Sequence, residues 1–230
     1  MSATVETVTV PVQRGLPAAT SRVPDLRRAL LALAVAAAPL LQVAGMLPHP
    51  VLPETPAATL ALVAQDPDGW FRMHALAASS AALSLVSALV LAGLVRGRGA
   101  GVATVGAALQ SVGCALLVFA FAAEAHLWSL AADPSLDRAA VVPLVALEHG
   151  SPAMSALLLG FPLVGVGSVL LMSGLLRSRA VPRWQPALVL LGTLASIPAP
   201  PGSAVGPLLL APAVVGLLAL AVRVARSGGR

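Results

Sequence analysis

The residues of this sequence best equipped for chemistry are His49, His74, Glu124, His126, Glu148 and His149, set in an otherwise apolar chain. Imidazole titrates near neutral pH and ligates transition metals, and a carboxylate beside it supplies charge and orientation. Glu124 and His74 are the candidate residues for binding a ligand or proton. His74, Glu124, His149 and His126 are the candidates for a transition metal, although no two of them have the i,i+4 ligand spacing. Three converging ligands with an open position would allow metal-activated hydrolysis of a lipid or peptide. Two histidines could instead hold a haem, although axial ligands at helix ends are less protected than those in a bundle core. The simplest alternative is that these groups lie solvated at headgroup level and orient the helix ends.

Other chemistries are excluded by what is missing. All 14 basic residues are Arg, and there is no Lys or Tyr. A Walker-A lysine, a Schiff base and a lysine nucleophile are therefore unavailable. No H-E-x-x-H, G-x-S-x-G or C-x-x-C pattern occurs. Cys114 is the lone cysteine, inside an apolar run, and reads as a packed small residue. The net charge of +5 does not point to nucleic acid, because the arginines sit at the ends of apolar segments rather than on one basic face.

The elements that must position the candidate residues follow from composition. Of 230 residues, 58% are hydrophobic and 10% charged, which rules out both an ordinary soluble domain and a disordered chain. The mean hydropathy of +0.92 agrees. Apolar runs cover 29–46, 73–95, 102–127, 152–176, 184–197 and 207–222. They predict an all-α, polytopic transmembrane bundle of about six spans over 29–223, with cytoplasmic tails at 1–28 and 224–230. The first run is read as an uncleaved helix, since more spans follow it. The last two runs are short and rich in proline (Pro198, Pro200, Pro201, Pro207, Pro212), so tilted, kinked or partly re-entrant segments are expected there. Residues 47–72 read as a loop, and 139–147 as a short interfacial stretch.

Six spans put both termini on one side. Twelve arginines fall on that side and only Arg72 and Arg138 on the other, so the termini are expected to be cytoplasmic. Most acids, and all four histidines, fall at the outer ends. Trp70 and Trp128 at the outer boundary, and Trp184 at the inner one, suit the membrane interface.

Spacing makes the His–Glu cluster specific. His74 lies 24 residues before Arg98 and Glu124 lies 26 after it. On adjacent antiparallel helices both stand roughly 36–39 Å from the turn, so a Glu124–His74 contact is feasible. His126 is about 200° around the helix from Glu124 and cannot share its face. Small-residue stripes Ser80, Ser84, Ala88, Ala92 and Ala103, Ala107, Ser111, Ala115 are expected to face each other across spans two and three. Spans two and four also end alike, and His49 to His126 and His74 to His149 are 77 and 75 residues apart, the trace of a possible duplicated hairpin.

A resemblance follows from His49-Pro50, Trp70, His74, Glu124 and Arg179-x-x-Pro182-x-Trp184. Over residues 29–197 the chain resembles uncharacterised multi-pass membrane proteins of high-GC bacteria, a group defined by a domain of unknown function. The resemblance implies a small helical protein of the cytoplasmic membrane and brings no activity, substrate or cofactor. The functional expectation is a non-enzymatic structural or interaction component, or a carrier of a small ligand or ion. Its partners would be the lipid bilayer and a second copy or another membrane protein. A metal-dependent hydrolase or a haem protein using the same outer cluster is the alternative. Spans two to four hold no charge between the outer cluster and the inner arginines, which argues against an ion pump.

Overall fold

The structure is a computed structural model that describes residues 23–133, 135–197 and 205–227, without the side chains of residues 23, 24, 128, 132, 148, 149 and 153. The tail at 1–22, Pro198, Pro200, Pro201 and the last three residues lie outside it. Among the described residues the chain is all-helical, with no strand. In order, the helices are α1 Val23–Met46, α2 Pro56–Val63, α3 Pro67–Gly93, α4 Ala100–Ala132, α5 Arg138–His149, α6 Pro152–Ser178, α7 Trp184–Ser196, α8 Val205–Leu209 and α9 Ala211–Arg226.

Four helices, α1, α3, α4 and α6, are long and apolar enough to cross a membrane. The fifth and sixth predicted runs are helical but short. Helix α7 has 13 residues and α9 has 16. At 1.5 Å per residue they extend about 20 and 24 Å, against a hydrocarbon core of about 30 Å.

The segment read as a loop over 47–72 is mostly helical, because its prolines start helices. Thr55 caps α2 by accepting from the Ala58 amide at 3.3 Å, with Pro56 at the first helical position. Asp66 caps α3 in the same way, accepting from the Gly69 amide at 2.9 Å, with Pro67 behind it. A short polar acceptor followed by proline satisfies orphan amides and fixes φ, so these pairs initiate helices. The turn from α3 to α4 runs through Gly97 and Gly99, both at positive φ.

Helices α1, α3, α4, α6, α7 and α9 each pack on the next, and α9 returns to α1. The ring closes over one core, which includes Val35, Leu91, Leu171, Leu175 and Leu220. These residues belong to the half of the bundle that holds Arg28, Arg96, Arg98 and Arg177. The opposite half lacks α7 and α9. There a second cluster joins Leu60 and Val63 of α2, Trp70 of α3, Leu127 of α4, and Val141 and Val145 of α5. The expected interfacial stretch is thus a helix, α5, which caps this end together with α2.

The predicted stripe pairing is met in part: Ala88 of α3 shares a buried cluster with Ala103 and Ala107 of α4, and Ala92 packs against it, but other contacts intervene. Ser80 turns to α1, donating to the Ala38 carbonyl at 2.7 Å. Ala103 lies against Gly174 of α6. Helices α4 and α6 approach closely through Gly106 and Gly113 on one and Gly160, Gly167 and Gly174 on the other. A Cβ at Gly113 would stand 2.8 Å from the Gly160 carbonyl oxygen, and one at Gly167 would stand 2.7 Å from that of Gly106. These glycines recur at seven residues, the period of two helices that wrap left-handedly around each other.

Substitution of Gly113 or Gly167 by Ala is expected to lower stability by about 1–3 kcal/mol through forced helix separation. Gly165 has nothing within 4 Å of its added Cβ. Gly165→Ala should be neutral or stabilising by about 1 kcal/mol through helix propensity. Thermal unfolding in a fixed detergent checks all three, and equal effects would refute the close-packed seam.

Candidate functional site

The site forms where the end of α1, the first turns of α3 and the C-terminal half of α4 meet. Trp70 and His74 stand one turn apart on α3. The Trp70 indole Nε1 donates to the Glu124 carbonyl oxygen at 2.8 Å, tying α3 to α4. His74 is 1% exposed. Its Nδ1 lies 2.8 Å from the Trp70 carbonyl oxygen. That oxygen can only accept, so Nδ1 carries the hydrogen. The other ring nitrogen, Nε2, faces Glu124 Oε2 at 3.3 Å, and the Glu124 side chain is 12% exposed. The approach is within ion-pair range but outside hydrogen-bond alignment, and Nε2 has no other partner. The contact that the residue count allowed is therefore present.

Aromatic rings enclose His74. The Trp70 ring centroid is 4.4 Å away, that of His49 5.4 Å and that of Phe121 6.4 Å. Phe121 reaches on to Phe161 of α6, at 6.2 Å. His49 comes from the short segment after α1 and completes the group. Its Nδ1 donates to the Pro50 carbonyl oxygen at 2.8 Å. Burial pulls the His49 imidazole below its ordinary value of 6.5, and nearby His74 adds to this, while the Pro50 bond and Glu124 oppose it.

The other candidates do not join this group in what the structure describes. His126 is exposed, and its Nδ1 lies 3.4 Å from Ser129 Oγ, on the face of α4 away from His74. His149 ends α5, but its side chain, like those of Glu148 and Trp128, lies outside the described residues. No three His, Cys, Asp or Glu among the described residues converge as metal ligands. His74 and Glu124 bring two ligand atoms within 3.3 Å of each other. Within spans, the Gln42 side-chain amide lies 3.1 Å from Ser80 Oγ, and Gln110 Oε1 is buried without a partner.

Sequence reasoning placed His49 at this end but not in the site. The available signal was the His-Pro step directly after an apolar run. Trp70 was read as an interfacial anchor, whereas it is buried at 3% exposure and holds the site together. Its spacing of four from His74 marked one helix face. No family model, curated protein or solved structure matches the chain.

Two predictions follow from this geometry. His74→Phe and Glu124→Leu each leave a buried polar group without its partner, so the single variants should cost more than the double variant implies. A double-mutant cycle by thermal unfolding should give a coupling of about 0.5–3 kcal/mol; strict additivity would mean the contact contributes nothing. His49, with its value depressed in the fold, contributes stability that is present above about pH 6.5 and is lost as pH falls through the folded value. Unfolding temperature should therefore drop on acidification below that point, and His49→Gln should flatten the profile. Parallel profiles for both proteins would remove His49 as the cause.

Proposed function

We propose that this chain is a multi-pass protein of a bacterial cytoplasmic membrane that acts without catalysis, through a proton- or small-cation-binding centre made of His74 and Glu124, with His49 beside it. The observation that carries the reading is the 3.3 Å approach of His74 Nε2 to Glu124 Oε2, when Nδ1 is already committed to a carbonyl. A neutral imidazole has a single N–H, so its Nε2 then presents a lone pair to a carboxyl oxygen. One proton between the two atoms turns a repulsive contact into an attractive one. Burial raises what that proton is worth, because little solvent screens the pair. Proton occupancy is thereby linked to how firmly α3 holds α4 at this end.

The orientation in this reading follows the arginines. The termini and Arg96, Arg98, Arg177, Arg179 and Arg183 face the cytoplasm, and the His–Glu centre lies on the outer side. The short α7–α9 pair enters from the arginine side and fills only the inner half. A metal-dependent hydrolase would need a third converging ligand, and a haem would need a gap between histidines that here are packed on aromatic rings. Both are less favoured on the donor set described above.

Proton uptake by the purified protein, followed by infrared titration of carboxyl and imidazole bands, tests the reading. Wild type is expected to show a carboxyl signal that disappears in Glu124→Gln and is displaced in pH in His74→Gln. Superimposable titrations of all three proteins would overturn it. Impermeant thiol labelling checks the orientation: Leu136→Cys should react from outside and Arg98→Cys only after the membrane is opened.

A further inference from the structure

We propose that the cleft between the end of α1, α2 and the start of α3 binds one membrane phospholipid with a zwitterionic, primary-amine headgroup. The site does not use His74 or Glu124 and goes beyond the proton-binding reading.

The cleft encloses about 400 Å³. That falls within roughly 300–1,000 Å³, the usual size of pockets for small ligands. Its lining combines the polar side chains of Gln65, Asp66 and Arg72 with apolar ones that include Ala44, Leu62, Met73 and Leu76. Asp66 and Leu76 are ten residues apart on α3, about 15 Å along its axis. Asp66 caps the apolar helix Pro67–Gly93, so the Asp66 side of the cleft lies where that helix leaves the membrane. Along α3 the lining thus runs from the Asp66 carboxylate to the Leu76 side chain, the direction in which a lipid runs from headgroup to chain.

The mouth also has a matching pair of charges. Arg72 Nη2 stands 4.0 Å from Asp66 Oδ2, and both side chains are largely exposed, at 72% and 69%. Arg72 Nε is taken by the Asp68 carbonyl oxygen at 3.2 Å, and Asp66 Oδ1 by the Gly69 amide at 2.9 Å. The outer guanidinium donors and Oδ2 share only the long, solvated contact between them. A phosphate and an ammonium, separated as in phosphatidylethanolamine, complement this pair. Guanidinium binds phosphate oxygens through charge-assisted hydrogen bonds, and the ammonium has hydrogens to give the carboxylate. The proposal also gives a reason for Arg72, one of only two arginines away from the arginine-rich end.

Native mass spectrometry of the delipidated full chain in mild detergent tests the site, with dioleoyl phosphatidylethanolamine, phosphatidylcholine and phosphatidylglycerol as probes. One phosphatidylethanolamine should be retained per chain. Phosphatidylcholine, whose ammonium has no hydrogen, and phosphatidylglycerol, which has no ammonium, should bind about tenfold more weakly. Arg72→Gln removes the phosphate contact, and Ala44→Phe fills the apolar part of the lining from an exposed position. Each should weaken phosphatidylethanolamine retention about tenfold while leaving lipid-free unfolding and the proton titration unchanged. Equal retention of the three lipids, or retention insensitive to both substitutions, would reduce the cleft to general lipid contact and overturn the proposal.

Discussion

The constraint on which the rest of the molecule depends is the backbone contact between α4 and α6. In lipid there is no hydrophobic drive for helices to associate, so close packing must supply it. Gly106 and Gly113 let α4 approach the Gly160–Gly167–Gly174 row until backbone meets backbone. This contact sets the rotation of α4 about its axis. Continuing the period of seven from Gly106 and Gly113 leads to Ala120 and Leu127, both buried. The companion row runs Ala103, Gln110, Leu117, Glu124. Glu124 is thereby turned into the bundle, and His126, two residues on, is turned out. The glycine seam, far from the polar cluster, decides which acid can reach His74.

The bundle divides into two halves with different tasks. Toward the arginines, six helices surround an aliphatic core. Toward the other end, α7 and α9 are missing, and α2 and α5 close the space over Trp70. The aliphatic half buries few polar side chains, Ser87, Ser168 and Gln185 among them. The polar atoms of the thinner half are held mainly by backbone partners: Trp70 Nε1 on the Glu124 carbonyl, His74 Nδ1 on the Trp70 carbonyl, and His49 Nδ1 on the Pro50 carbonyl. Fixing each ring through one nitrogen leaves the second nitrogen of His74 aimed at a carboxylate.

Much of this was legible in the residues. Apolar run length located α1, α3, α4 and α6, and counting from Arg98 brought His74 and Glu124 to one height. Helix rotation was not legible. The stripe of Ser80 was matched to α4 by composition alone, yet Ser80 serves α1, because a buried hydroxyl goes where an acceptor is exposed. The acceptor is the Ala38 carbonyl of α1. The starts of α2 and α3 were present as Thr55-Pro56 and Asp66-Pro67. They were masked by reading proline and aspartate as loop residues rather than by their order. Whether the apolar seam runs through alanine or glycine also cannot be inferred from hydropathy, since both are small; backbone proximity distinguishes them.

The polar groups farther along α3 bear on what a proton at His74 can do. Ser80 lies six residues beyond His74, about 9 Å along the axis. Its hydroxyl is bound to the Ala38 carbonyl and Gln42. Ser87, another seven residues on, donates to the Leu83 carbonyl of its own helix at 2.7 Å. Both hydroxyls are committed to carbonyl acceptors nearby. Beyond them Leu91 and Leu171 belong to the aliphatic core at the arginine end. In the proposed reading, a proton shared by His74 and Glu124 acts through the packing of α3 on α4.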